Sequence, residues 1–190
     1  MDVLTQIRWH GRGGQGAVTA SELLAEAALH EGKYFQAFPD YGAERMGAPI
    51  RVYTRISDSL IRQHCQISEP DVVVVLDPTL LGVVNPTEGL KNCGVVVANT
   101  PLSPAELRHR LGLVRGKVFT VDATRIALDT IGRNIPNTPM LGALVKATGI
   151  VNKDSILKVI RNHFSARVSS KAAETNAVAF ERAYSEVRED

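Results

Sequence analysis

The sequence predicts an α/β fold: a three-layer, Rossmann-like domain with a mixed, mostly parallel sheet of about six strands and a helical C-terminal third. Three observations carry this. "DVVVVLD" (71–77) and "GVVVAN" (94–99) are continuous β-branched runs, the pattern of strands covered on both faces. A glycine-rich turn, "GRGGQG" (11–16), joins the first strand directly to an amphipathic helix. From Thr138 onward only helical periodicities appear.

The elements follow in order. Residues 3–9, "VLTQIRW", alternate as a strand. After the glycines, Ala17, Ala20, Leu24, Ala27 and Ala28 recur at helical spacing, and Gly32 supplies a left-handed stop. "KYFQAF" (33–38) is aromatic and strand-like. "PIRVYTRI" (49–56) sets Ile50, Val52, Thr54 and Ile56 against Arg51, Tyr53 and Arg55, which predicts a half-buried outer or antiparallel strand. The two valine runs come next, and "KVFTVDA" (117–123) makes the last predicted strand. Ahead of it, Ser103, Pro104 and Glu106 form a capping box for a helix ending at Gly112. Helices then start at Thr138-Pro139 and at Asn152 to Asp154, and the last carries Ala173, Ala177, Phe180, Tyr184 and Val187 as one apolar seam.

A chain of 190 residues suits a single domain over 1–190 with a substantial core. The net charge of +2 gives no argument for nucleic acid or a membrane surface, and no apolar run reaches membrane-spanning length. "MDVLTQIRWHG" lacks the build of a secretory signal, and two cysteines, Cys65 and Cys93, make no disulfide framework, so a cytoplasmic setting is expected. Two cysteines also fall short of the four thiolates of an iron–sulfur cluster, and the histidines show no metal-ligand spacing. No metal site and no catalytic constellation are expected in this chain: there is no nucleophile elbow, no acid pair for sugar cleavage and no activated Cys/His pair.

The glycine loop matches G-x-G-x-x-G at Gly11, Gly13 and Gly16. Small residues at a helix N-terminus let backbone N–H groups approach an anion, and Arg8, His10 and Arg12 lie close by. The same glycines would also serve a tight strand-to-helix turn that binds nothing. A P-loop is disfavoured, since Ala17-Val18-Thr19 replaces the Lys-Ser/Thr pair. A dinucleotide site wants an acid closing the second strand, whereas Asp40 follows Pro39 and is expected in the loop. A polar, glycine-rich connection holding Asp40, Gly42, Glu44, Arg45 and Gly47 reads as functional or interfacial, against a plainly solvated loop. Asp77 and Asp122, at strand ends, read as turn or cap residues.

"IRWHGRGGQGAVTASELLAEAAL", "GKYFQAFPDYGAERMGAPIRVYTRIS" and "PDVVVVLDPTLL", continued by "NTPMLGALVKATGIV" and "KAAETNAVAFERAY", resemble the gamma subunit of pyruvate:ferredoxin oxidoreductase. More broadly they resemble the gamma-type domain of the 2-oxoacid:ferredoxin oxidoreductases. The resemblance implies a subunit of a hetero-oligomer that oxidatively decarboxylates a 2-oxoacid, passes the acyl group to coenzyme A and reduces ferredoxin. It implies that thiamine diphosphate, Mg and the 4Fe–4S clusters belong to partner subunits. It assigns Arg12, Gly13, Gly14, Gln15 and Gly16 to coenzyme A, and Tyr41, Gly42, Glu44, Arg45 and Gly47 to the partner interface. The "RWHGRGGQG" form is closer to the pyruvate type. A free-standing NAD/FAD-dependent oxidoreductase and a purely structural subunit are the alternatives.

Overall fold

The computed structural model describes residues 4–40 and 47–190. The chain runs β1 (Leu4–Arg12), α1 (Ala17–His30), β2 (Tyr34–Asp40), β3 (Pro49–Ser57), β4 (Val72–Val75), a 3-10 turn (Pro78–Gly82), β5 (Val95–Asn99), α2 (Pro104–Leu111) and β6 (Lys117–Val121). Then follow α3 (Ala123–Thr130), α4 (Asn137–Thr148), α5 (Lys153–Arg167), α6 (Ser170–Glu186) and a two-residue β7 (Arg188–Glu189).

One sheet of seven strands has the order β2-β3-β1-β4-β5-β6-β7. Its centre, β1-β4-β5-β6, is parallel, and β3 and β7 run against it. Since β2 is antiparallel to β3, it shares the direction of β1, and most strands point one way. The seventh strand, Arg188–Glu189, is too short to leave a periodic signal in the sequence. The helix α3, outside the sequence prediction, takes the end of the segment read there as strand: Asp122 caps it by accepting from Arg125 N at 3.0 Å.

Helices α1, α3, α4, α5 and α6 pack on one face, over Ile7, Trp9, Val52, Val72, Val74, Val97, Phe119 and Val121. The other face is thinner. There α2 and the 3-10 turn cover Val73, Val75, Ala98 and Val118 through Leu80, Leu81 and Leu107. Helix α4 is the hub of the thick layer, buried continuously from Asn137 to Val145. It meets α6 so closely that a Cβ on Gly142 would lie 2.2 Å from the Phe180 carbonyl oxygen, a contact only glycine permits.

Two expectations are corrected. The strand at 49–57 is not half-buried: Tyr53 and Arg55 are each 1% exposed, Tyr53 lying beside the Phe38 ring of β2 at 5.3 Å and Arg55 reached by Cys65 from the segment after β3. Arg55 donates to Gln6 Oε1 at 3.1 Å, Gln36 Oε1 at 3.3 Å and the Cys65 carbonyl at 2.7 Å, so its polarity is satisfied by protein instead of water. Asp40 is the last residue of β2, not part of the loop.

Candidate functional site

In an open α/β sheet, ligands bind where successive connections leave the strand ends on opposite faces. Here β1 connects through α1 on the thick face, while β4 and β5 connect through the 3-10 turn and α2 on the thin one. The switch point therefore lies between the C-terminal ends of β1 and β4. The glycine loop and the Asp77-Pro78-Thr79 turn meet there.

Gly11 belongs to β1, which ends at Arg12, and the loop proper is Gly13 to Gly16. Gln15 folds back over it: Oε1 accepts from Arg12 N at 2.8 Å and Nε2 donates to Asp77 Oδ2 at 2.6 Å. The Arg12 guanidinium reaches the Thr79 hydroxyl oxygen from Nε (3.3 Å) and Nη2 (3.0 Å), and the Gly47 carbonyl from Nη1 (3.0 Å). Its Nε is also 3.4 Å from Asp77 Oδ2. Asp77 Oδ1 accepts from Thr79 N at 2.8 Å and from the Thr79 hydroxyl at 2.5 Å. Burial alone would raise the Asp77 pKa, but the Thr79 and Gln15 hydrogen bonds and the Arg12 charge outweigh it and hold the carboxyl below its usual range.

The N-terminus of α1 is capped by Gly16 in the left-handed conformation (φ 79°), with no side-chain cap. Its first intrahelical bond is Ala20 N to Gly16 O, so the N–H groups of Ala17, Val18 and Thr19 point out of the helix end, as at any such terminus. Asn137, at the start of α4 and 4% exposed, lies across that end. A Cβ at position 16 would stand 2.6 Å from Asn137 Nδ2, so glycine is required for two reasons, conformation and space.

Of the residues assigned to the partner interface, Tyr41, Gly42, Glu44 and Arg45 lie outside the described residues. Gly47 is exposed and bound to the glycine loop: Gly47 N donates to Gly13 O at 3.3 Å, and Gly13 N to Ala48 O at 3.1 Å. Asp40 accepts from the Tyr53 hydroxyl at 3.4 Å. Because β3 stands between β1 and β2, Asp40 is two strand spacings from β1, roughly 10 Å. In a dinucleotide fold the ribose-binding acid ends the strand directly beside β1, so Asp40 is one strand too far.

The sequence did not point to Thr79 or Asn137, whose roles arise only when β4 and α4 are brought to the glycine loop. The one local signal is Asp-Pro-Thr closing an apolar strand, a capping pattern at the edge where α/β sites form. Among the described residues, no three His, Cys, Asp or Glu side chains gather as a metal site, and Cys65 and Cys93 are exposed and far apart in sequence. No helix among them is long and apolar enough to cross a membrane.

The chain is similar to proteins of known family. The chain is 51% identical over 179 residues to the pyruvate/ketoisovalerate oxidoreductases common subunit gamma of Thermococcus kodakarensis, covering 94% of this chain and 97% of that one. It is 51% identical over 183 residues to pyruvate synthase subunit PorC of Thermotoga maritima, covering 96% and 94%. The crystal structure of pyruvate oxidoreductase subunit PORC from Thermotoga maritima superposes with a TM-score of 0.87 at 48% identity, over 98% of both chains. A 2-oxoglutarate:ferredoxin oxidoreductase from Magnetococcus marinus, solved with 2-oxoglutarate, coenzyme A and succinyl-CoA bound, shares the fold. Its TM-score is 0.74 at 19% identity, over 97% of this chain and 30% of that one. The pattern described as pyruvate ferredoxin/flavodoxin oxidoreductase matches residues 6–186, and the chain belongs to that family.

Proposed function

We propose that this chain is the gamma subunit of a 2-oxoacid:ferredoxin oxidoreductase, pyruvate being the 2-oxoacid, and that its glycine loop holds coenzyme A. The complex oxidatively decarboxylates the 2-oxoacid, transfers the acyl group to the coenzyme A sulfur and passes the electrons to ferredoxin. The domain spans 1–190 and works in the cytoplasm beside thiamine-binding and iron–sulfur subunits. Its two cysteines fall short of the four thiolates of a cluster, which fits 4Fe–4S centres in those partners; the family resemblance assigns thiamine diphosphate and Mg to them as well. The segment with Tyr41, Gly42, Glu44, Arg45 and Gly47 faces them.

The observation that carries the reading is the switch-point loop. Arg12 stands 29% exposed at its rim, with its carboxylate partner Asp77 set behind it at 9%. An approaching phosphate thus meets the cation before the anion. Gly13, Gly14, Gln15 and Gly16 keep the backbone low around it. The chain's part is to bind and orient coenzyme A and to help close the shared active site. The Magnetococcus relative of the same fold, solved with coenzyme A bound, supports this.

The test is Arg12→Ala in the assembled complex. Loss of one charge-assisted contact should raise the coenzyme A KM about tenfold or more, with the 2-oxoacid KM unchanged. An unchanged coenzyme A KM with the complex intact would favour a purely structural subunit.

A further inference from the structure

The geometry points to Asp77 as the positioning residue of the glycine loop: it fixes Arg12, the cation the loop offers to a ligand, and Gln15, whose side chain is spent bracing the loop from within, and so sets the affinity for coenzyme A. This deepens the reading of the loop as a coenzyme A site and rests on it. Asp77 lies just past β4, as the cap of the 3-10 turn, and not in the glycine loop, yet it holds Gln15 directly and Arg12 in two ways. The Thr79 hydroxyl has one proton, which it gives to Asp77 Oδ1; its lone pairs are left to accept from Arg12 Nε and Nη2. Asp77 therefore orients Arg12 through Thr79 as well as through the direct 3.4 Å ion pair.

Gln15 is also fixed at both ends. Its Oε1 is taken by Arg12 N, so Nε2 is what it must present to Asp77 Oδ2. The site thus needs an acceptor on each Asp77 oxygen, one for Thr79 and one for Gln15. Asparagine has the right shape and cannot meet that need. Turned one way, its amide faces the Gln15 donor; turned the other, it faces the Thr79 backbone donor. Asp77 touches neither the reacting atoms nor, by its burial behind Arg12, the ligand. Its effect is preorganisation: the free loop already holds the shape the ligand needs, so less order is lost on binding.

The same logic gives a rescue. With Asp77→Asn, the change Gln15→Glu puts a carboxylate where the amide was: one oxygen accepts from Arg12 N, the other from the new asparagine amide. The net charge beside Arg12 is kept.

The experiment measures coenzyme A dissociation by calorimetry on the assembled complex without 2-oxoacid, together with both KM values. Asp77→Asn should weaken coenzyme A about tenfold while the 2-oxoacid KM stays within twofold, and the double variant should return to within about threefold of the parent. If Asp77→Asn binds coenzyme A normally while Arg12→Ala does not, the positioning role is overturned and the loop reading stands. Failure of the double variant to recover overturns it too. If neither Arg12→Ala nor Asp77→Asn changes coenzyme A binding, the loop reading itself falls. Should Asp77→Asn prevent assembly, Thr79→Val carries the test: it removes only the bridging hydroxyl. It should weaken coenzyme A about threefold, with Thr79→Ser restoring it, and normal binding by Thr79→Val overturns the proposal.

Discussion

Two halves of the same sheet face, the one opposite the helical layer, are built differently. Under β4, β5 and β6 it presents Val73, Val75, Ala98 and Val118, closed by Leu80, Leu81 and Leu107. Under β1 and β3 it presents Arg8, His10, Tyr53 and Arg55, which are only 5%, 5%, 1% and 1% exposed. Strand register joins the halves without a break, Arg8 lying beside Val73 and His10 beside Val75. The apolar half is held by contact area, which is non-directional and tolerates repacking. The polar half is held by donors that each require an acceptor at one place. Arg8 donates to the carbonyls of Ile67 (3.4 Å), Ser68 (3.4 Å), Pro86 (3.1 Å) and Glu88, and to His10 Nε2 at 3.2 Å. The lesson is that buried arginines here specify loop positions. Arg8 does so on the strand that delivers Arg12 to the switch point.

The largest effect expected from this contrast is that of Arg8→Met, which keeps an unbranched side chain and removes every donor. Several carbonyls of two loops would lose their partner, at about 1–3 kcal/mol for each that stays buried and unpaired. We expect a net loss on the order of 3–5 kcal/mol in chemical unfolding, with faster amide exchange concentrated at residues 67–68 and 86–88. A loss below about 1 kcal/mol would mean that the polar half is held by area, like its neighbour.

The same contrast explains what could be read from the sequence. The apolar half was legible because Val72–Val75 and Val95–Asn99 carry their burial in composition. So were the capping box at Ser103, which forms with both of its bonds, and the stop at Gly32, whose N–H reaches Leu29 O at 2.9 Å. The polar half was not. Arg51, Tyr53 and Arg55 alternate with apolar residues as a solvated face would, and nothing local says that Tyr53 will be buried beside Phe38 or that a later segment will reach Arg55. The glycines were legible as a tight turn from strand to helix, and Asp77 as a cap. Their meeting was not, since 62 positions separate Gln15 from Asp77 and only the order of β1 beside β4 joins them.

A smaller effect, confined to acid, concerns His10. Because Arg8 always donates to Nε2, that nitrogen keeps a lone pair and the proton sits on Nδ1. Burial first, then the charges of Arg8 and Arg51, lower the His10 pKa from 6.5 to about 3. Between those values the unfolded chain holds a proton that the fold refuses, so stability rises with pH across that window. The contribution is complete above pH 6.5, is lost as pH falls towards 3, and is flat below. Its full size is roughly 5 kcal/mol, of which about 3 kcal/mol falls between pH 6.5 and pH 4. Unfolding free energies of the parent and of His10→Gln, measured from pH 7 to pH 4, should converge as pH falls, since the variant has no group to charge there. Carboxylates with lowered pKa, such as Asp77 and Asp190, act in both and cancel in the difference. A constant difference across that range would show that His10 is free to protonate in the fold.

The smallest effect has the opposite sign and comes from the apolar half, where direction should not matter. Thr120 on β6 shares the face of Val118, pairs with Ala98, and is 0% exposed. Its hydroxyl is the one buried side-chain polar atom among the described residues with no hydrogen-bond partner. An unpaired hydroxyl in such a place costs about 1–3 kcal/mol, and valine fills nearly the same shape without it. Thr120→Val should therefore stabilise the chain by about 1 kcal/mol, a rise of roughly 2–4 °C in Tm for a domain of this size. Thr120→Ser keeps the hydroxyl and gives up the methyl group, so it should lower Tm. The pair of variants separates the two halves by sign: on the apolar side removing a donor helps, while at Arg8 it harms. A valine variant that melts below the parent would place a partner on that hydroxyl and erase the distinction.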